Sequence, residues 1–309
     1  MPNLDGLRAR RARRGADGTD AQAADATLES EFSGLDALDR PVAAHPTTIG
    51  RVWRSLWPKL AAIAIAILAW QVIVWSGWKP EYALPGPGPV FGTLIREVSE
   101  EGLQQAILIT LRRGLVGFLL ACVIGVLLAL AVVRFKTLRT AIGSLISGIQ
   151  TMPSIAWFPL AILLFQLTEQ AILFVVILGA APSIANGLIS GVDHIPRVLL
   201  RAATVMGARG TDYYRHVLLP AALPSFVAGL KQGWAFAWRS LMAGELLVII
   251  AGQSSIGQRL IFSRDTSDAQ GLLVMMIVIL VIGIVIDAAF FGTIDRSVRR
   301  RWGLVEESA

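Results

Sequence analysis

The chain is 309 residues long, 54% hydrophobic and only 16% charged, with a mean hydropathy of +0.62. Soluble domains carry about 25% charged residues, so an ordinary soluble protein is excluded. A single cysteine (Cys122) leaves no intrachain disulfide, three scattered histidines (His45, His194, His216) lack zinc or haem spacing, and the net charge of +6 reads as the cytoplasmic Lys/Arg excess of a membrane protein rather than a nucleic-acid surface.

Residues 1–58 form a polar tail. A basic cluster from Arg8 to Arg14 precedes an acidic, Ala-rich stretch from Asp17 to Asp39. So few large apolar side chains predict disorder. No apolar core follows the arginine pairs until Leu60, too far away for a cleaved leader. A cytoplasmic tail that touches lipid is expected instead.

Six apolar blocks follow, each near the length of about 20 residues that crosses a bilayer. The first, Leu60 to Trp75, is edged by Trp53, Trp57, Trp70, Trp75 and Trp78, as an interfacial belt requires. Pro80, Pro85, Pro87 and Pro89 mark a loop, and Val90 to Gln105 reads as an amphipathic helix. The second block, Ile107 to Val133, is interrupted early by Arg112 and Arg113. These arginines face the outer side, where they either aid anion entry or snorkel to the interface. The third, Ala141 to Leu167, has no charge but carries Pro153 and Pro159, which predict a kinked or broken helix. The fourth runs from Ala171 to Val192, the fifth from Ala221 to Ile250 with Lys231, Arg239 and Glu245 inside it. The sixth, Gly271 to Thr293, includes Asp287 and leads to Asp295, Arg296, Arg299, Arg300 and Arg301. The expected organisation is a tail (1–58), a six-helix membrane domain (59–295) with a long loop at 193–220, and a C-terminal tail (296–309).

Six spans place both termini on one side. That side holds 20 of the 28 Lys and Arg residues, and the other holds 6. Without the N-terminal segment the contrast is still 11 to 6, so both ends are expected in the cytoplasm. The chain has no G-x-x-x-x-G-K-[ST] phosphate loop and no G-x-S-x-G elbow. No external segment is large enough for a ligand-binding domain. Fuel and solute capture are therefore expected from other proteins.

The loop Arg201 to Pro220 reads as a short helix that stops before the next span. Ala203 and Gly207 lie four apart on one face, where small residues admit another backbone. Gly210 breaks the helix, Tyr213 and Tyr214 add exposed aromatic area, and Pro220 opens the following membrane helix. Such a loop is either a docking knob for a partner or an ordinary amphipathic turn.

These residues resemble a family. Binding-protein-dependent ABC importer permeases carry the loop pattern E-A-A, three residues, G, nine residues, I, one residue, L-P. Ala202, Ala203, Gly207, Leu219 and Pro220 fall on it with the spacing kept, Val217 replaces Ile, and Arg201 stands where the pattern has Glu. Gln150 to Leu160, Gly233 to Trp238 and Gly244 to Leu246 look like the third and fifth spans of the nitrate/sulfonate/taurine permease subfamily. The resemblance implies an all-α permease fold (type I-like) in a bacterial inner membrane, with six transmembrane helices and a cytoplasmic coupling helix. It implies a homodimer of permease subunits, two cytoplasmic ATPases that bind ATP and Mg, and an external solute-binding protein, with lipid around them. Arg201, Ala202, Ala203, Gly207, Ala208, Thr211, Tyr213, Tyr214, Leu219 and Pro220 would form the ATPase-coupling loop. This chain would itself be no enzyme and hold no cofactor or metal. The cargo implied is a small oxyanion such as an alkanesulfonate, taurine or nitrate; the alternatives are a thiamine-precursor-like solute, an aromatic acid, or a passive channel.

A charge at mid-bilayer costs about 2.5–3.5 kcal/mol on insertion scales. Lys231 is expected to snorkel to the cytoplasmic end. Arg239 either faces the pathway, easing passage of an anion, or bridges to Glu245, Asp287 or a helix-end carbonyl. Trp234 and Trp238 either wall the pathway or pack between helices. Glu245 either lines the pathway or, the favoured reading, is a structural partner, and Pro153 and Pro159 mark a gating bend or a packing kink.

Overall fold

The computed structural model describes residues 48–302. The disorder expected over residues 1–47 and the tail residues 303–309 lie outside them. Among the described residues all regular structure is helical. Contacts divide the chain after Leu68. What is described of the first unit belongs to helix α1 (Thr48–Trp75). Residues 48–58, read from sequence as tail, are therefore helical. Apolar residues spaced three and four apart (Val52, Leu56, Trp57, Leu60) extend the helical pattern back past Pro58.

The second unit contains α2 (Pro87–Val98), α3 (Glu101–Arg134), α4 (Lys136–Thr151), a 3₁₀ turn (Ser154–Trp157), α5 (Phe158–Phe165) and α6 (Glu169–Asp193). After these come α7 (Arg197–Val205), α8 (Gly210–Tyr213), a π-helical turn (Tyr214–Leu218) and α9 (Leu219–Leu247). The chain continues through α10 (Ile256–Asp265), α11 (Ala269–Ile286), a second π turn (Asp287–Phe291) and α12 (Gly292–Arg301).

Among the described residues four runs are long and apolar enough to cross a membrane: Leu56–Trp75, α3, α6 and Ala269–Arg301. The other two expected spans are present in altered form. Helix α9 has 29 residues and extends about 43 Å at 1.5 Å per residue, with Lys231, Arg239 and Glu245 lowering its hydropathy. The third span is broken. Helix α4 ends at Thr151, Met152 is extended, and α5 begins with Pro159 in its first turn, where the missing N–H leaves no hydrogen bond unmade.

Helix α6 lies between α3 and α9. On α3 the side toward the core is lined by small residues, Ala106, Thr110, Gly114, Gly117, Ala121, Gly125 and Ala129, while Leu108, Leu115, Leu119, Val123 and Leu127 are exposed. Helices in lipid gain little from burying leucine but gain dispersion from close backbone approach. A Cβ on Gly187 would sit 2.5 Å from the Gly229 Cα, and one on Gly125 would lie 2.8 Å from the Ala181 carbonyl oxygen. At the other end of the bundle Val90, Leu103, Ile256, Val274 and Met275 join α2, α3, α10 and α11.

Candidate functional site

The loop between α6 and α9 is built around α7. Pro196 precedes the helix, and Gly207 closes it. With φ at +88°, Gly207 donates its N–H to the Thr204 carbonyl, and Ala208 donates to the Ala203 carbonyl. This is a Schellman closure, which favours glycine at the left-handed position. Gly210, also left-handed at φ +56°, starts α8. Tyr213 and Tyr214 meet edge to face at 6.0 Å, and Pro220 falls in the first turn of α9 as expected.

The expected small-residue docking face is not formed. Ala203 is buried and Gly207 lies beyond the end of the helix, so the two do not share a surface. Large apolar groups are presented instead: Val198, Leu199, Val205 at 89% exposure and Met206 at 86%. Arg201, Ala202, Thr211 and Leu219 are exposed and Ala208 half-buried. Arg201 makes no ion pair among the described residues.

The charged residues of the spans fall into three groups. The first is a buried network at the end of the bundle away from this loop. Arg113 Nη1 donates to Glu245 Oε1 at 3.2 Å, and both side chains are 0% exposed. Glu245 also accepts from Thr110 Oγ1 (2.9 Å) and from the Gly257 N–H (3.1 Å). Thr110 in turn accepts the Ile256 N–H, and Arg113 Nη2 donates to Gln253. The carboxylate thus satisfies one first-turn N–H of α10, that of Gly257, and Thr110 the one before it, where the helix dipole favours an anion. Ser255 and Gln258 complete the cap. Glu245 is thus buried and fully bonded within the bundle, not open to a cavity. Arg113, expected to face the outer side, is instead enclosed, because Glu245 and Gln253 supply the acceptors that burial requires.

The second group is Lys231 with Asp287, 3.2 Å apart, their side chains 45% and 48% exposed. Lys231 thus pairs within the span, where the expectation was snorkelling.

The third is Arg239 alone. Both carboxylates offered to it in the bridging alternative are engaged elsewhere, Glu245 with Arg113 and Asp287 with Lys231. Its guanidinium lies 5.3 Å from the Phe236 ring centroid and makes no ion pair among the described residues. It lines a cavity of about 290 Å³ with Gln150, Thr151, Pro153, Ser154 and Trp157, at the break in the third span. Pro153 therefore belongs beside Arg239, while Pro159 is exposed on α5. Trp234 is buried edge-on against Phe118 at 5.3 Å, a core contact, and Trp238 stacks on it. Trp238 borders a different, shallow hollow with Met276, Gly283 and Asp287.

Helix α9 has two unlike faces. Gly229, Gly233, Ala237, Ser240 and Gly244 are buried, and Gly229, Gly233 and Ser240 pack against α6. Ala228, Lys231, Gln232 and Arg239 are exposed, with half-buried Ala235 between them. Sequence reading had Lys231 and Arg239 but missed Arg113, Thr110 and Gln253 as one network. The available signal was that opposite charges in two spans cost least when they meet.

Residues 121–300 match the family of binding-protein-dependent transport system inner membrane components. The chain belongs to this family. It is a permease subunit of an ABC importer, a multi-pass membrane protein and not an enzyme, and ATP hydrolysis resides in a separate subunit. A putative ABC transporter permease of Methanocaldococcus jannaschii is 29% identical over 74% of this chain and 86% of its own length. A nitrate import permease of Synechococcus elongatus is 30% identical over 62% of this chain and 71% of its own. A bicarbonate transport system permease of the same organism is 26% identical, covering 74% and 84%. An inward-facing form of the MetNI methionine ABC transporter is similar at a TM-score of 0.49 and 24% identity, covering 68% of this chain and 98% of that one.

Proposed function

We propose that this permease carries a small oxyanion, an alkanesulfonate, taurine or nitrate, handed over by an external binding protein. The observation that supports this is the exposed face of α9. In lipid, a helix face bearing Lys231, Gln232 and Arg239 would cost several kcal/mol, whereas against water these groups stay solvated. The unpaired guanidinium of Arg239 then sets a positive potential beside the Gln150, Thr151 and Ser154 polar groups at the third-span break. A single cation attracts an anion without enclosing it, which suits passage better than storage. Relatives named as nitrate and bicarbonate permeases are consistent with an anionic cargo.

In this reading two copies of the chain form the pathway and both termini are cytoplasmic. Two ATPases, holding ATP and Mg, seat the apolar face of α7 (Val198, Leu199, Val205, Met206), so that their closure draws the two loops together. Arg201, Ala202, Ala208, Thr211, Tyr213, Tyr214 and Leu219 surround that contact.

The test is binding-protein-dependent uptake of nitrate, taurine and ethanesulfonate by the full complex in proteoliposomes. Arg239→Ala is expected to slow the transported anion at least tenfold, and Arg239→Lys to retain much of the rate. Uptake unchanged by Arg239→Ala in correctly assembled complex would remove Arg239 from the pathway.

A further inference from the structure

We propose that α12 and the turn before it form a binding site for one anionic phospholipid, in the leaflet at the coupling-loop end. Helix α12 continues the last span, so its first turns stand where the protein leaves the hydrocarbon. Arg296, Arg300 and Arg301 line an open concavity of about 550 Å³ together with the hydroxyl-bearing Thr293 and Ser297. On this helix only Arg299 has a carboxylate partner among the described residues, Asp295 at 3.1 Å. Arg296 reaches no further than the Thr293 hydroxyl, at 3.3 Å. Arg296 and Arg300 are one turn apart and project together. Guanidinium groups flanked by hydroxyl donors match the oxygens of a phosphodiester.

One observation favours a lipid over a soluble anion. Below the arginines the same chain exposes Ile284, Val285 and Phe290, so the surface is apolar where an acyl chain would run and cationic where its headgroup would sit. The helix end is also held in place: Trp302 Nε1 donates to the Pro220 carbonyl at 3.1 Å. That bond fixes the arginines beside the start of α9 and the foot of the coupling loop. The occupied site would therefore bear on the part of the permease that the ATPase contacts.

The test uses the full-length permease in phosphatidylcholine nanodiscs, with or without phosphatidylglycerol, read by thermal unfolding and by lipid retention in native mass spectrometry. Phosphatidylglycerol is expected to raise the unfolding temperature and to be retained over phosphatidylcholine. The triple variant Arg296→Gln/Arg300→Gln/Arg301→Gln should lose both effects. At about 1 kcal/mol per basic residue near a membrane surface, affinity falls roughly a hundredfold. Arg299→Gln, whose arginine is already paired, should keep them, and a triple Lys variant should keep most of the attraction and so report on folding of the altered helix. Equal responses to the two lipids, or a triple Gln variant that still retains phosphatidylglycerol, would overturn the proposal. So would inorganic phosphate reproducing the whole shift, which would identify a soluble anion, or release of the lipid when the ATPase docks, which would identify the patch as a protein contact.

Discussion

Arg113 and Glu245 are both fully buried and pair with each other at 3.2 Å. Losing one partner of such a pair costs about 3–5 kcal/mol, because the remaining charge keeps its desolvation penalty. Arg113→Met is therefore expected to destabilise the permease by about that amount in detergent unfolding, and Arg113→Met/Glu245→Met by less than the two single changes added together. Additive losses would mean that the two side chains do not act as a pair. Outside the spans, burial raises the pKa of Glu97, Arg259 opposes this from 3.4 Å, and Glu100 and Asp268 raise it further. A carboxyl whose folded pKa is raised favours folding most when protonated. Its contribution is present below the unfolded value and lost as pH rises through the folded one. Glu97→Gln should therefore unfold at a higher temperature than the parent at neutral pH, the difference narrowing toward pH 4. A gap that widens on acidification would reverse the assignment. The charges themselves were plain in the sequence. Their partners were not, since pairing depends on which faces of α3, α9 and α11 meet, and no spacing along one chain encodes that.

At the scale of elements, glycine placement decides how closely helices approach. A methyl on Gly187 meets the backbone of Gly229, which cannot rotate away, so Gly187→Ala is expected to cost about 1–3 kcal/mol by overpacking. Gly92 on α2 has nothing within 4 Å of an added Cβ, and Gly92→Ala should be neutral or stabilising by up to about 1 kcal/mol. Similar unfolding temperatures for the two variants would argue against the α6–α9 crossing. The break in the third span was legible, because Pro153 and Pro159 act locally. The end of α7 was misread for the opposite reason. Gly207 fits a helical small-residue pattern as well as it fits a left-handed stop, and only the backbone distinguishes them. Taking it as helical put a small-residue face on the loop, where Val205 and Met206 in fact project.

For the molecule as a whole, the run of apolar blocks was enough to read an all-helical membrane protein, and the loop pattern was enough to name the family. Orientation rests on charge counting and is open to direct measurement. In a Cys122→Ala background, a maleimide that cannot cross the membrane should label Tyr82→Cys in intact cells but Met206→Cys only after permeabilisation. Both residues are more than four-fifths exposed, so reactivity reports sidedness. The reverse pattern would invert the topology. Pro220, the first-turn proline of the fifth span, also receives the indole of Trp302. A partner that pushed on the loop would thus load two transmembrane columns from the outset, and a subunit clipped before Trp302 would let the fifth swing while the sixth stayed behind.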